Sequence, residues 1–135
     1  MKILLDTNYV IWIAEGNISP KVQIYINNPE NSFYFSPASI WEIIIKKQSQ
    51  RDFRIEPFAL RLGLVEHGYI ELPITSMHTL LVNELTPIHK DPFDRLLIAQ
   101  AKAEGMLLLT ADKIINQYDA PVLYCPRNRS SRKTS

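Results

Sequence analysis

The chain of 135 residues has one cysteine, Cys125, so neither an internal disulfide framework nor a cysteine-based zinc cluster can form. Its three histidines, His67, His78 and His89, are dispersed, with no H-E-x-x-H or similar spacing, which gives a zinc hydrolase little support. Long apolar runs are lacking too. Ile3-Leu4-Leu5 is cut off at once by Asp6, and nothing approaches the roughly 20 residues of a membrane span. A cytoplasmic location with no membrane partner is the expectation. Nor is there a surplus of one charge. The net charge is +1, but Arg127, Arg129, Arg132 and Lys133 fall in the last ten positions, and residues 1–125 carry 11 basic against 14 acidic side chains, or −3. The basic body that usually accompanies a nucleic-acid ligand is missing, so any phosphate chemistry must take its positive charge from another source.

What is present is the composition of a packed, water-soluble protein, with 46% apolar and 21% charged residues, close to the globular average. One domain over residues 1–125 and a short basic tail over 126–135 account for the length; the Ser, Arg and Lys content of the tail predicts disorder. Short β-rich runs at 2–5, 33–35, 70–72, 106–109 and 122–124 alternate with helical patterns at 8–15, 20–27, 37–50, 57–67, 77–85, 92–104 and 113–117. This alternation predicts an α/β fold, a three-layer sandwich with a mostly parallel central sheet. Ile3-Leu4-Leu5 and Leu107-Leu108-Leu109 are apolar on both faces, as strands covered on both sides must be. Ser19-Pro20 and Ser36-Pro37 are helix starts, and Gly16, Gly68 and Gly105 stand where helices end.

Four acids sit at informative places. Asp6 ends the first strand, with Thr7-Asn8 behind it; taken alone it reads as a helix N-cap, although Thr7 or Asn8 could cap instead and leave its carboxylate free. Glu42 lies among Ile40, Trp41, Ile43, Ile44 and Ile45, which predict a helix buried over most of its circumference. It could pair with Lys46 at i+4, yet a carboxylate in such surroundings needs a partner, and a metal ion would be one. In His89-Lys90-Asp91-Pro92-Phe93-Asp94-Arg95 two carboxylates bracket a proline. Asp91 with Pro92 explains the helix start, and Asp94 is a surplus that either decorates the helix dipole or binds something. Arg95 is read as a structural ion pair or a phosphate contact, and His89 as a surface histidine before a helix. Asp112 follows the fourth strand through Thr110-Ala111, and Asp119 is turn chemistry. If the strands before Asp6, Glu42 and Asp112 are neighbours, these acids and Asp94 converge on the edge where open α/β sheets bind ligands. Carboxylates that close require cations or protons, and hard oxygen donors suit Mg²⁺ or Mn²⁺.

Asp6-Thr7-Asn8, Ser39-Ile40-Trp41-Glu42-Ile43, the run from His89 to Ala101 and Thr110-Ala111-Asp112 together resemble the PIN domain, and more closely its VapC-type toxin ribonucleases of bacterial and archaeal toxin–antitoxin pairs. The resemblance extends over about residues 1–124, and Asp-Pro-Phe-Asp-Arg is its most specific part. It implies that Asp6, Glu42, Asp94 and Asp112 are the catalytic, metal-binding acids, with Asp6, Asp94 and Asp112 on Mg²⁺ or Mn²⁺ and Glu42 on the metal or on the attacking water. Thr7, Asn8 and Thr110 would be supporting residues around them, and the role of Asp91 is open. It further implies single-stranded or loop RNA as the substrate, cleaved by metal-dependent phosphodiester hydrolysis, with a cognate antitoxin protein and a homodimer. Ile11, Trp12, Ile24 and Tyr25 could form part of a partner groove, or be core. A housekeeping RNA-processing or DNA-cleaving nuclease is the rival within the fold. A phosphatase with Asp6 as nucleophile is disfavoured because Asn8 stands where a second aspartate is usual; a catalytically silent interaction module is disfavoured by the four retained acids.

Overall fold

The five expected strands form one sheet. In the computed structural model, which describes residues 1–127, they are β1 (Lys2–Leu5), β2 (Ser32–Phe35), β3 (Ile70–Glu71), β4 (Leu107–Thr110) and β5 (Val122–Tyr124). Their spatial order is β3-β2-β1-β4-β5, and every pairing is parallel, so the sheet is wholly rather than mostly so. β1 is central, with Ile3 opposite Phe33 on one side and Leu107 on the other. Period-two alternation divides its side chains between two cores. Ile3 and Leu5 join Val10, Val22, Ile43, Leu60 and Leu64 on one face; Leu4 joins Leu97, Ile98, Ala101 and Leu108 on the opposite face.

The helices α1 (Thr7–Ala14), α2 (Pro20–Asn27), α3 (Pro37–Ser49), α4 (Pro57–Glu66), α5 (Ser76–Val82) and α6 (Pro92–Glu104) supply the outer layers. Their starts follow local chemistry: Ser19 Oγ accepts from Val22 N, Ser36 Oγ from Ala38 N, and Asp91 Oδ1 from Phe93 N, each ahead of a proline whose missing N–H leaves no donor unpaired. Gly105, at φ +66°, ends α6 in the left-handed conformation, which costs glycine little.

Several expectations change. α5 stops at Val82 instead of residue 85, because the N–H groups of Asn83, Glu84 and Leu85 bond to carbonyls three residues back, a tightening common at helix ends. The expected helix at 113–117 is a 3₁₀ turn over Ile115–Gln117, preceded by Asp112 Oδ1 accepting from Ile114 N at 2.7 Å, a local bond that competes with helix. α3 is not buried over most of its circumference. Only Ala38, Ser39 and Ile43 are buried, whereas Trp41 is 62% exposed, because α3 packs along one stripe against α1, α4 and α6. The surmised partner groove does not form as one surface either: Ile11 belongs to the core and Ile24 is 71% exposed. Arg127, assigned to the disordered tail, lies 4.2 Å from the Trp12 ring centroid; residues 128–135, the rest of that expectation, lie outside the described residues. Among the described residues no helix is long and apolar enough to cross a membrane.

The two-sided core predicts where substitution hurts. Ile98→Ala, at a fully buried position, should lower the free energy of unfolding by about 2–5 kcal/mol, whereas Ile24→Ala should change it by less than about 0.5 kcal/mol. Urea unfolding of both variants measures the difference; similar losses would contradict the described packing.

Candidate metal centre

Because the sheet is parallel, all of its strands end on the same edge. β1 is flanked by β2 on one side and β4 on the other, so the edge beyond it is the switch point where open α/β sheets form ligand crevices. Asp6 leaves β1 there, Asp112 follows β4, and α3 with Glu42 follows β2. α6 packs against α3 and brings Asp94 in its first turn. The conditional convergence of the four acids is thus met by the strand order.

Asp6 is the N-cap of α1, and both of its oxygens are engaged. Its Oδ1 accepts from Tyr9 N at 2.9 Å, and its Oδ2 accepts from the Thr110 hydroxyl at 2.6 Å. Thr110 Oγ1 in turn accepts from Asp112 N at 3.0 Å, so one threonine ties the ends of β1 and β4 together. Thr7 Oγ1 lies 3.0 Å from Ser39 Oγ, linking α1 to α3; both hydroxyls are buried. Asn8 is exposed. Asp91 serves as the N-cap of α6, accepting from Phe93 N at 2.8 Å and from Asp94 N at 3.4 Å. One acid therefore caps the helix and the other is left available.

Arg95 does not form the expected ion pair. Its guanidinium donates to the carbonyls of Val82, Thr86 and His89 and to the Tyr118 hydroxyl, and it pairs with no carboxylate among the described residues. These bonds fasten the loop between α5 and α6, which carries His89.

His89 is the residue that sequence reasoning undervalued. Its side chain is only 13% exposed, and Nε2 lies 3.1 Å from Asp94 Oδ2 and 3.0 Å from Asp112 Oδ2. Nδ1 accepts from Asp91 N at 3.1 Å, which assigns the proton of the neutral ring to Nε2, facing the two carboxylates. The only sequence signal was its place two residues before the capping aspartate. His89, Asp94 and Asp112 each offer one donor atom, all within 4.8 Å of one another.

The electrostatics follow from burial and crowding. Burial pushes Asp6 up to about 6, with the Asp112 and Glu42 carboxylates adding to the effect and the Thr110 and Tyr9 hydrogen bonds opposing it. Asp94 is pushed up to about 7, first by burial, then by Asp91, Asp6 and Glu42, while His89 opposes. Glu42 is raised as well, by burial and Asp91 against Thr7 and Lys46. Its Oε1 is buried without a hydrogen-bond partner among the described residues, a costly state for a carboxylate oxygen. An unpartnered oxygen beside mutually repelling carboxylates fits a hard divalent cation.

A family model described as PIN domain matches residues 3–121. No curated protein sequence matches. Among solved structures, the chain is similar to one in VapBC2 from Rickettsia felis, bound to a DNA fragment from their promoter, at 14% identity, with 92% of this chain and 98% of that one covered and a TM-score of 0.72. A toxin–antitoxin complex from Klebsiella pneumoniae gives 19% identity, 90% and 95% coverage and a TM-score of 0.63. The PIN domain endonuclease Utp24 gives 18% identity, 93% and 86% coverage and a TM-score of 0.55.

The raised carboxyl groups set a pH dependence. In the unfolded chain Asp6 and Asp94 release their protons near 3.8, whereas in the fold they hold them to about 6 and about 7. Folding therefore takes up protons between these values, and stability should rise as pH falls from 8 to 5. Thermal melts in EDTA should show Tm climbing by several degrees over that range, roughly as one or two kcal/mol would produce. A Tm that falls steadily from pH 8 to 5 would show that the carboxylates do not crowd in this way.

Proposed function

The chain belongs to the PIN-domain family, and on that footing we propose that it is a metal-dependent endoribonuclease of the VapC toxin type, hydrolysing phosphodiester bonds in RNA. The observation that carries this reading is the set of four carboxylates at the switch point, three of them with raised pKa values and one of those three, Glu42, with a buried, unpartnered oxygen. Nothing about such a set favours the fold for its own sake. Its donor chemistry suits Mg²⁺ or Mn²⁺.

In this reading Asp6, Asp94 and Asp112 hold the cation, and Glu42 holds it or orients the attacking water. A divalent cation bound there supplies Lewis acidity toward water and phosphate, and offsets charge that develops on the phosphate oxygens. The protein's part is to keep the acids in place. Thr110 holds the Asp6 carboxylate against the end of β4, and the Thr7–Ser39 pair steadies α3 beneath Glu42. The Nε2–H of His89 donates between Asp94 and Asp112, keeping their Oδ2 atoms together. The cation also resolves the charge problem, because an acidic body can then receive a phosphate without a broad basic groove.

The toxin assignment and a cognate antitoxin partner draw support from the toxin–antitoxin complex to which the chain is similar in fold; that the antitoxin covers the site and that the chain forms a homodimer belong to the same proposal. The similarity to the PIN domain endonuclease Utp24 keeps a housekeeping RNA-processing nuclease as the second reading. A small antitoxin-like gene beside the coding sequence favours the first.

The purified chain should cleave structured RNA in Mg²⁺ or Mn²⁺ and lose that activity in EDTA. Cleavage that survives EDTA, or equal cleavage by wild type, Asp6→Asn and Asp94→Asn, would overturn the carboxylate–metal mechanism, and cleavage of DNA alone would overturn the substrate.

Two substitutions should separate the acids of the α6 start. Asp94→Asn should abolish cleavage and yet raise the Tm of the metal-free protein at pH 8, since it removes a buried charge that its neighbours repel. Asp91→Asn should retain most activity, because asparagine caps a helix about as well as aspartate. An inactive Asp91→Asn protein with an unchanged melt would place Asp91 among the acids that act on substrate or metal.

A further inference from the structure

The two tryptophans differ in a way that fold alone does not require. Trp12 packs edge to face with Tyr9 and lies under the Arg127 guanidinium. Trp41 is 62% exposed and meets a single aromatic neighbour, Phe93, at 5.3 Å between centroids and an interplanar angle of 82°. Phe93 is half-buried against the second core, so the accessible aromatic surface of the pair is chiefly that of Trp41. Trp41 directly precedes Glu42, and Phe93 directly precedes Asp94, so the pair stands beside the carboxylate cluster. Phe93 and Glu42 line one open cleft with Lys46 and Lys90. Trp41 stands outside this lining and meets it through Phe93, so the cleft itself combines one aromatic ring, two cations and two acids, Glu42 of the proposed metal centre and Asp91.

We propose that the Trp41–Phe93 pair is a stacking platform for an unpaired base of the RNA substrate, with Lys46 and Lys90 contacting the phosphates of the same strand. The inference rests on the nuclease reading of the adjacent carboxylates and deepens it by assigning two residues that position the strand. An exposed tryptophan offers a π-face to any base, whereas a base inside a duplex is already stacked on its neighbours and has none free. Charge supports a nucleic-acid occupant. The cleft's lining charges balance, Lys46 and Lys90 against Glu42 and Asp91, so a cation held by the acids of the proposed metal centre would leave it positive, and a strand passing over it would place its phosphates on the lysines and that cation.

Tryptophan fluorescence in EDTA reads binding without cleavage. Titration with a short oligoadenylate RNA should quench emission saturably, and a blunt RNA duplex should bind much more weakly. Trp41→Ala should weaken single-strand binding by roughly tenfold or more, read by fluorescence anisotropy of labelled RNA. Trp41→Phe, which keeps a stacking face, should stay within a few-fold of wild type. Replacing Lys46 and Lys90 with glutamine should flatten the salt dependence of binding by about one phosphate contact each. Trp41 is exposed, so its loss should leave the thermal melt unchanged, and Phe93→Leu supplies a second variant that preserves volume. Single-strand affinity unchanged in Trp41→Ala and Phe93→Leu, or equal affinity for duplex, would overturn the platform. Emission that answers to protein dilution but not to RNA would overturn it too, assigning the surface to a second copy. Failure of the nuclease reading has its own signature, intact RNA after incubation of wild type with Mn²⁺.

Discussion

Mutual repulsion among carboxylates gathered at one sheet edge is the constraint around which this molecule is arranged. Asp6, Glu42, Asp94 and Asp112 come from four separate segments, and each feels the charge of at least one of the others. At close range in a medium of reduced dielectric, such repulsion amounts to kcal/mol per pair. A protein that is only marginally stable tolerates that cost where the surrounding structure is rigid enough to impose it. Here the rigidity comes from β1, whose Ile3, Leu4 and Leu5 are wholly buried between two cores.

The hydrogen bonds at the edge share out that strain. Thr110 donates to Asp6 while accepting from Asp112 N, so a single hydroxyl sets the spacing of the β1 and β4 ends. His89 places one N–H between Asp94 and Asp112, and its own orientation depends on Asp91 N and on the loop that Arg95 fastens through four acceptors. Asp91, by capping α6, holds both the backbone donor to His89 and the helix turn that carries Asp94. The Asp-Pro-Phe-Asp-Arg run is thus a mechanical unit in which each polar side chain positions the next.

Much of the fold was legible because its signals are local. Ser-Pro and Asp-Pro pairs mark helix starts through hydrogen bonds made within two or three residues, and β-rich runs apolar on both faces announce a parallel sheet. The four acids were legible as residues, and their meeting followed once neighbouring strands were assumed. The rest depends on contacts distant in sequence. His89 reads as a surface histidine because its partners include Asp112, 23 positions away. Arg95 reads as an ion pair because nothing in the chain shows that carbonyls from Val82 to His89 will fold around its guanidinium. The exposure of Trp41 was hidden by its isoleucine neighbours: hydrophobicity at helical spacing predicts a buried stripe but not its width, which the sheet edge decides.

That exposure bears on how an acidic protein with the proposed activity would handle a polyanion. Electrostatic attraction over a broad basic surface is one solution, but residues 1–125 carry a net charge of −3, and general attraction to phosphate would be weak. Short-range contacts must then do the selecting. Stacking on a tryptophan falls off within ångströms, owes little to salt, and demands a base that is free to leave its neighbours. A cation held by the carboxylates is equally local. On the proposed reading, pairing the two would confine productive binding to unpaired strand passing directly over the acids, a selectivity that a strongly basic groove, attractive to any phosphate backbone, would erode.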